Sequence, residues 1–119
     1  MGNAATLQEL TNQVSGFIDQ RDWSQFHNPK DLALSLSLEA AEVLELMQWK
    51  QGDELQSHLT ANSSRLGEEL ADVFFWVLVL SNQQGIDLAE AFQRKMVQNG
   101  EKYPVELAKG KSSKYTELR

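Results

Sequence analysis

Two pairs of carboxylates constrain what this chain can fold into. Glu39 and Glu42 stand three apart in the stretch Leu-Glu-Ala-Ala-Glu-Val-Leu-Glu-Leu-Met-Gln-Trp-Lys, residues 38–50. Glu69 and Asp72 repeat that spacing after 26 intervening residues, in a second and more apolar stretch. On a helix, residues three apart share a face. Two such pairs on neighbouring helices repel each other unless a counter-charge lies between them, and a hard divalent cation fits that role. If the two helices form a hairpin, Glu42 and Asp72 each lie roughly 14 Å from its turn, at ~1.5 Å per residue. The spacing therefore predicts that the pairs are level.

Ordinary solvent-facing acids are the competing reading, because an E-x-x-E pattern alone is permissive. Two features favour a site. Asp72 stands at the mouth of the longest apolar run, residues 73–80, and is expected to be buried, where an acid needs a partner or a cation. No basic residue lies four positions from Glu39, Glu42 or Asp72. Glu45 and Glu68 are neighbours that periodicity does not separate from the set. A cluster of carboxylates without imidazole or thiolate selects Mg²⁺, with Mn²⁺ the alternative. A di-iron bundle expects Glu-x-x-His pairs, and neither His27 nor His58 has a Glu three residues before it.

The rest of the chain reads as helices. Only two prolines, Pro29 and Pro104, occur in 119 residues, and neither interrupts a long periodic segment. Thr6 and Glu9 have capping-box spacing, and Leu7, Leu10, Val14, Phe17 and Ile18 follow a helical period up to Arg21-Asp22. A loop containing Trp23, Phe26 and His27 comes next, its aromatics suited either to plug a core or to meet a ligand. Asn28-Pro29 opens a second helix. Leu32, Leu34, Leu36 and Leu38 alternate as in a strand, but they run without a turn into the acid-bearing stretch, so the helix is expected to continue to Gly52. Residues 53–64 read as a polar connection. A third helix spans about 63–84, and Asp87 and Glu90 cap a fourth that ends at Gly100. Residues 73–80 are apolar on every side, which calls for cover from all sides and predicts a subunit interface. The expectation is one all-α domain over residues 1–119, a four-to-five-helix bundle completed by subunit association, with a flexible tail from about residue 105.

Composition excludes several classes. Apolar residues make up 41% and the net charge is −6, which disfavours both disorder and nucleic-acid binding. The eight residues of the longest apolar run fall short of the ~20 that a membrane span needs. The opening Met-Gly-Asn-Ala-Ala lacks the basic and apolar regions of a signal peptide. The absence of cysteine agrees with a reducing, cytoplasmic location.

Several motifs taken together resemble the MazG-like, all-α nucleoside triphosphate pyrophosphohydrolases, and within them the dCTP pyrophosphatase branch. They are Arg21-Asp22-Trp23, Phe26-His27-x-Pro29, Gln48-Trp49-Lys50, the E-x-x-E and E-x-x-D pairs, Lys95-Met96 with Asn99, Tyr103-Pro104, and Lys114-Tyr115-Thr116-Glu117-Leu118. The resemblance covers about residues 20–118. It implies hydrolysis of a nucleoside triphosphate to the monophosphate and pyrophosphate, in nucleotide-pool house-cleaning. It further implies that Glu39, Glu42, Glu69 and Asp72 bind Mg²⁺, with Glu39 or Glu42 as the proton acceptor. Trp23, His27 and Trp49 would hold the base, and Lys95, Asn99, Lys102 and Tyr103 would contact phosphates or sugar. Trp76 stands where the dCTP-specific relatives carry Tyr, at a position that bears on substrate choice. The resemblance also implies a homotetramer, a dimer of dimers. On a continuous second helix Trp49 lies ten residues past Glu39, ~15 Å along the axis and on nearly the same face. The basic tail with Lys109, Lys111 and Lys114 is read either as a frayed terminus or as a cover for the triphosphate. The functional alternative is a non-catalytic helical interaction module, with surface acids and core tryptophans.

Overall fold

A computed structural model describes residues 4–118. The first three residues, on which part of the signal-peptide reading falls, and Arg119 lie outside the described residues. Among the described residues six α-helices follow one another: α1 Leu7–Gln20, α2 Pro29–Glu45, α3 Gly52–Ala61, α4 Ser63–Gln83, α5 Leu88–Lys102 and α6 Val105–Ala108. Short 3-10 turns occupy Ser24–Phe26 and Tyr115–Glu117, and the described residues contain no strand. The chain divides into two compact units, residues 1–85 and 86–119. Among the described residues no helix is long and apolar enough to cross a membrane.

The first unit holds the acid pairs. Thr6 caps α1 in a full capping box with Glu9. Asn28 caps α2 by accepting from the Asp31 N–H, and Pro29 occupies its first turn. The leucine alternation of α2 resolves by helical phase. Leu32 is 1% exposed and Leu36 half-buried, whereas Leu34 and Leu38 face outward. The core face of α2 therefore runs Leu32, Leu36, Glu39, Val43, Leu46, at steps of three and four. On α4 the corresponding row is Leu66, Glu69, Val73. In each row an acid stands where a hydrophobe is expected.

The core forms where α1, α2 and α4 meet. Ile18, Leu32 and Val79 are its buried members, with Val14, Phe75, Trp76 and Leu80 packed around them. Leu78 and Val79 are thus covered within one chain, so part of the apolar run at 73–80 is satisfied without a second subunit. Phe74 and Leu70 on α4 remain exposed.

The structure corrects two expectations about helix boundaries. α2 ends at Glu45, and residues 46–49 form a turn in which the Met47 N–H donates to the Leu44 carbonyl. Trp49 is therefore off the helix, and the ten-residue register from Glu39 does not apply to it. The supposed polar connection is itself a helix, α3. Gly52, at φ +61°, lets the chain reverse into it, a conformation that glycine adopts without Cβ strain. Asp53 and Glu54 favour its N-terminus, Lys50 pairs with Glu54 at 3.2 Å, and Leu55 and Leu59 give it one half-buried side.

The second unit is built on α5. Asp87 caps it by accepting from the Glu90 N–H at 3.1 Å, and the helix runs through Gly100 to Lys102. Past α6, Tyr115 returns to α5: its ring meets Tyr103 edge-on at 6.2 Å, and the Lys102 ammonium lies 5.0 Å from its centroid. Tyr115, in the tail, thus contacts the C-terminal end of α5.

Leu32 is the most enclosed side chain of the first unit. Leu32→Ala is expected to cost about 2–5 kcal/mol, the range for deleting a buried leucine. Urea unfolding followed by circular dichroism measures it, and the exposed Leu34→Ala should lose far less.

Candidate functional site

The packing that buries Leu32 also brings the four acids together. Glu39, Glu69 and Asp72 each place one carboxylate oxygen within 4.8 Å of the others. Glu42 joins them beside Glu69, whose carboxyl it neighbours. Among the described residues this is the only group of three or more His, Asp or Glu side chains so arranged. Glu45 and Glu68 are exposed and outside it.

Burial is uneven within the cluster, and the helical phase explains why. Glu39 and Glu69 stand in the core rows and are half-buried, whereas Glu42 and Asp72 sit at the rim. The expectation that Asp72 is buried fails, because one helical step places Glu69 in the core row and turns Asp72 outward. One oxygen each of Glu39 and Glu69, Oε2 in both, is buried without a hydrogen-bond partner. A buried anionic oxygen left unpaired is costly. The hydrogen bond with Glu42, burial, and the nearby charges of Glu42 and Asp72 together hold the Glu69 carboxyl above the ordinary carboxylate range. Arg65, one turn earlier on α4, opposes this only in part. Orphaned oxygens, a hard all-carboxylate donor set and a surplus of negative charge fit a divalent cation. Glu39, Glu69, Asp72 and Glu42 are the residues that would hold it.

Beside the acids lies a cavity of about 420 Å³. Glu39 and Asp72 line one part of it, and Phe17, Phe75 and Trp76 wall the other, with Val14 and Gln13 completing it. The aromatics brace one another edge-on. Phe17 meets Phe75 at 6.1 Å, and Phe75 meets Trp76 at 5.0 Å. A volume of this size, apolar with a few acids at one side, is typical of a small-molecule site. Phe17, Phe75 and Gln13 were not singled out in the sequence. The available signal was the adjacency of Phe17 and Ile18 on one helix, since Ile18 takes the core position and leaves Phe17 beside it.

The other expected binding residues are spread more widely. Trp76 lines the cavity, and the His27 ring meets it edge-on at 5.9 Å. Trp23 packs edge-on against Phe17 at 5.7 Å, and the Arg21 guanidinium lies 3.7 Å from the Phe17 centroid. Trp49 is 84% exposed and does not line the cavity. Lys95, Asn99 and Lys102 follow at steps of four and three on α5, so they share a face of the second unit, and Tyr103 caps that helix.

The Glu69 carboxyl gives the metal-free protein a pH signature. Its folded-state pKa is raised, so its contribution to stability is complete below the unfolded pKa and is lost as pH rises through the folded value. In chelator, Glu69→Gln should raise the melting temperature near pH 8 and change it little near pH 4, as measured by thermal denaturation across that range.

The sequence model of the MazG-like family matches residues 34–118. Human dCTP pyrophosphatase 1 is 39% identical over 115 residues, covering 95% of this chain and 68% of that protein. The mouse protein of the same name is 38% identical over the same shares. Among solved structures, a pyrophosphatase from Archaeoglobus fulgidus superposes with a TM-score of 0.79 at 36% identity, over 87% of this chain and 97% of its own. On the match across residues 34–118, the long relatives and the shared all-α fold, this chain belongs to the MazG-like family.

Proposed function

We propose that this chain is a nucleoside triphosphate pyrophosphohydrolase that converts a deoxynucleoside triphosphate, dCTP first among candidates, to the monophosphate and pyrophosphate. One observation carries the reading: a carboxylate cluster with two orphaned buried oxygens opens onto an aromatic-walled cavity large enough for a small ligand. An interaction module with surface acids would leave no reason to place Glu39 and Glu69 in core rows. The names of the human and mouse relatives and of the archaeal structure support the same class of chemistry.

Glu39, Glu42, Glu69 and Asp72 would hold Mg²⁺, or Mn²⁺ in its place. Bound there, the cation would screen the negative triphosphate from the acids and activate water for attack. The chain's own groups divide the remaining work by burial. Glu39, half-buried with an oxygen unpaired, suits a fixed ligand. Glu42, exposed at the rim beside Glu69, suits the acceptor of the water's proton. Phe17, Phe75 and Trp76 would stack on or enclose the base, with His27 at its edge. Trp76 brings a larger ring than the Tyr of dCTP-specific relatives, so it bears directly on which base is accepted. Trp23 and Trp49 are further base contacts. Lys95, Asn99, Lys102 and Tyr103 are the proposed phosphate and sugar contacts, and the lysines of the tail belong with them.

The assembly is proposed to be a homotetramer, a dimer of dimers. Leu34 and Leu38 on the outer side of α2, and Leu70 and Phe74 on α4, each four apart, leave apolar pairs uncovered at helical spacing, and Leu44 of α2 is exposed as well. The location is proposed to be cytoplasmic, and one domain is proposed for the whole chain.

Pyrophosphate release assayed across all eight common NTPs and dNTPs with Mg²⁺ tests the reaction, and dCTP should show the highest kcat/KM. Glu42→Gln and Asp72→Asn should each abolish turnover while far-UV circular dichroism stays unchanged. Retained turnover in both would refute the site. Mg²⁺ with a non-hydrolysable dNTP should raise the melting temperature of the wild type but not of Asp72→Asn. Light scattering should give a mass of at least a dimer, and Leu38→Glu with Phe74→Glu should shift it toward the monomer.

A further inference from the structure

The loop that carries Trp23 and His27 is shaped by local bonds. Asp22 adopts φ 53°, a left-handed conformation that costs a residue with a Cβ. Gln25 Nε2 stabilises it by donating to the Asp22 carbonyl at 2.9 Å and to its carboxylate at 3.0 Å. The His27 N–H donates to the Ser24 carbonyl at 3.1 Å, and Asn28 hands the chain to α2. None of these bonds ties the loop to α4. One bond does: Gln83 Nε2 donates to the His27 carbonyl at 2.6 Å, across 56 residues. Within the first unit, among the described residues, the side-chain hydrogen bonds other than this one and the Glu42–Glu69 contact of the acid cluster join groups no more than four residues apart. Behind the loop lies a cavity of about 140 Å³, bordered by Ser24, His27, Asn82 and Gln83. Tight packing therefore does not hold the loop in place at this point.

We infer that Gln83 is a positioning residue for nucleotide recognition, acting through His27. Gln83 lies seven residues past Trp76 on α4, close to two turns, so the cavity wall and the latch stand on nearly the same side of one helix. Holding the His27 carbonyl there keeps the imidazole edge-on to Trp76, 5.9 Å between centroids. With its N–H and carbonyl both engaged, His27 keeps only side-chain freedom, and its ring nitrogens are left to meet a ligand. This role rests on the pyrophosphohydrolase reading and adds to it a residue at the far end of α4 from the acid pair.

Gln83→Met keeps the length of the side chain and removes the donor without adding charge, and Gln83→Lys restores a donor. In the Mg²⁺-loaded full-length protein, Gln83→Met should raise KM for the preferred dNTP about 3- to 10-fold, the worth of one hydrogen bond, with kcat held within about twofold. Gln83→Lys, assayed in high salt to screen its charge, should return KM to within about twofold of wild type by recovering that one bond. A second readout needs neither nucleotide nor metal. His27 and His58 are the two histidines of the chain, so His58→Gln assigns the imidazole C–H resonances by NMR. The His27 signals should be displaced by the Trp76 ring in the wild type and move toward free imidazole in Gln83→Met. An unchanged KM, or His27 signals that do not move, would overturn the role. A wild-type protein that hydrolyses no nucleoside triphosphate would overturn the functional reading and this role with it, and would show before any Gln83 variant is made.

Discussion

Like charges placed on core-facing rows are the constraint on which the rest of this structure depends. Glu39 and Glu69 occupy positions in α2 and α4 where Leu36, Val43, Leu66 and Val73 set an apolar pattern. Burying Leu32 against Val79 and Ile18 draws the helices together and the carboxylates with them. Hydrophobic packing thus drives a repulsive arrangement, and each chain carries the cost in unpaired oxygens and a raised Glu69 pKa. Replacing these acids by leucine would be expected to stabilise the bundle. Keeping them exchanges stability for a site, the usual signature of function at a position that breaks the local pattern.

Core and cavity share walls. Val14, Phe75 and Trp76 pack against the buried core on one side and line the cavity on another. The aromatic wall is therefore held by the same contacts that hold the fold, and it needs little reorganisation to receive a planar ring. Phe17 is fixed from outside, by Arg21 over its face and Trp23 against its edge. The loop bearing Trp23 and His27 is braced less firmly, by short-range bonds and one amide from α4. Acids on rigid helices and aromatics on a latched loop divide the site into a fixed part and an adjustable part. On the proposed function, precise chemistry would suit the first and choice among bases the second.

Sequence alone determined the caps at Thr6, Asn28 and Asp87 and the helical class, and it singled out Glu39, Glu69 and Asp72, which the fold brings together. These are local matters: a cap needs a side chain within three residues, and a face needs only a period. The phase of the leucines in α2 even contained the half-burial of Glu39, because Leu32, Leu36, Val43 and Leu46 share its stripe. Tertiary structure decided what depends on two elements at once. The turn at 46–49 and the short α3 were hidden because two leucines and a glycine of positive φ do not outweigh a polar stretch in a linear reading. The exchange of roles between Glu69 and Asp72 follows from how α4 is rotated against α2, which one sequence stretch does not fix. The aromatic cavity exists only where α1 crosses α4, and the Gln83 latch joins residues 56 apart. Periodicity assigns a residue to a side of its own helix; what stands opposite that side is set by packing energy summed over the whole core.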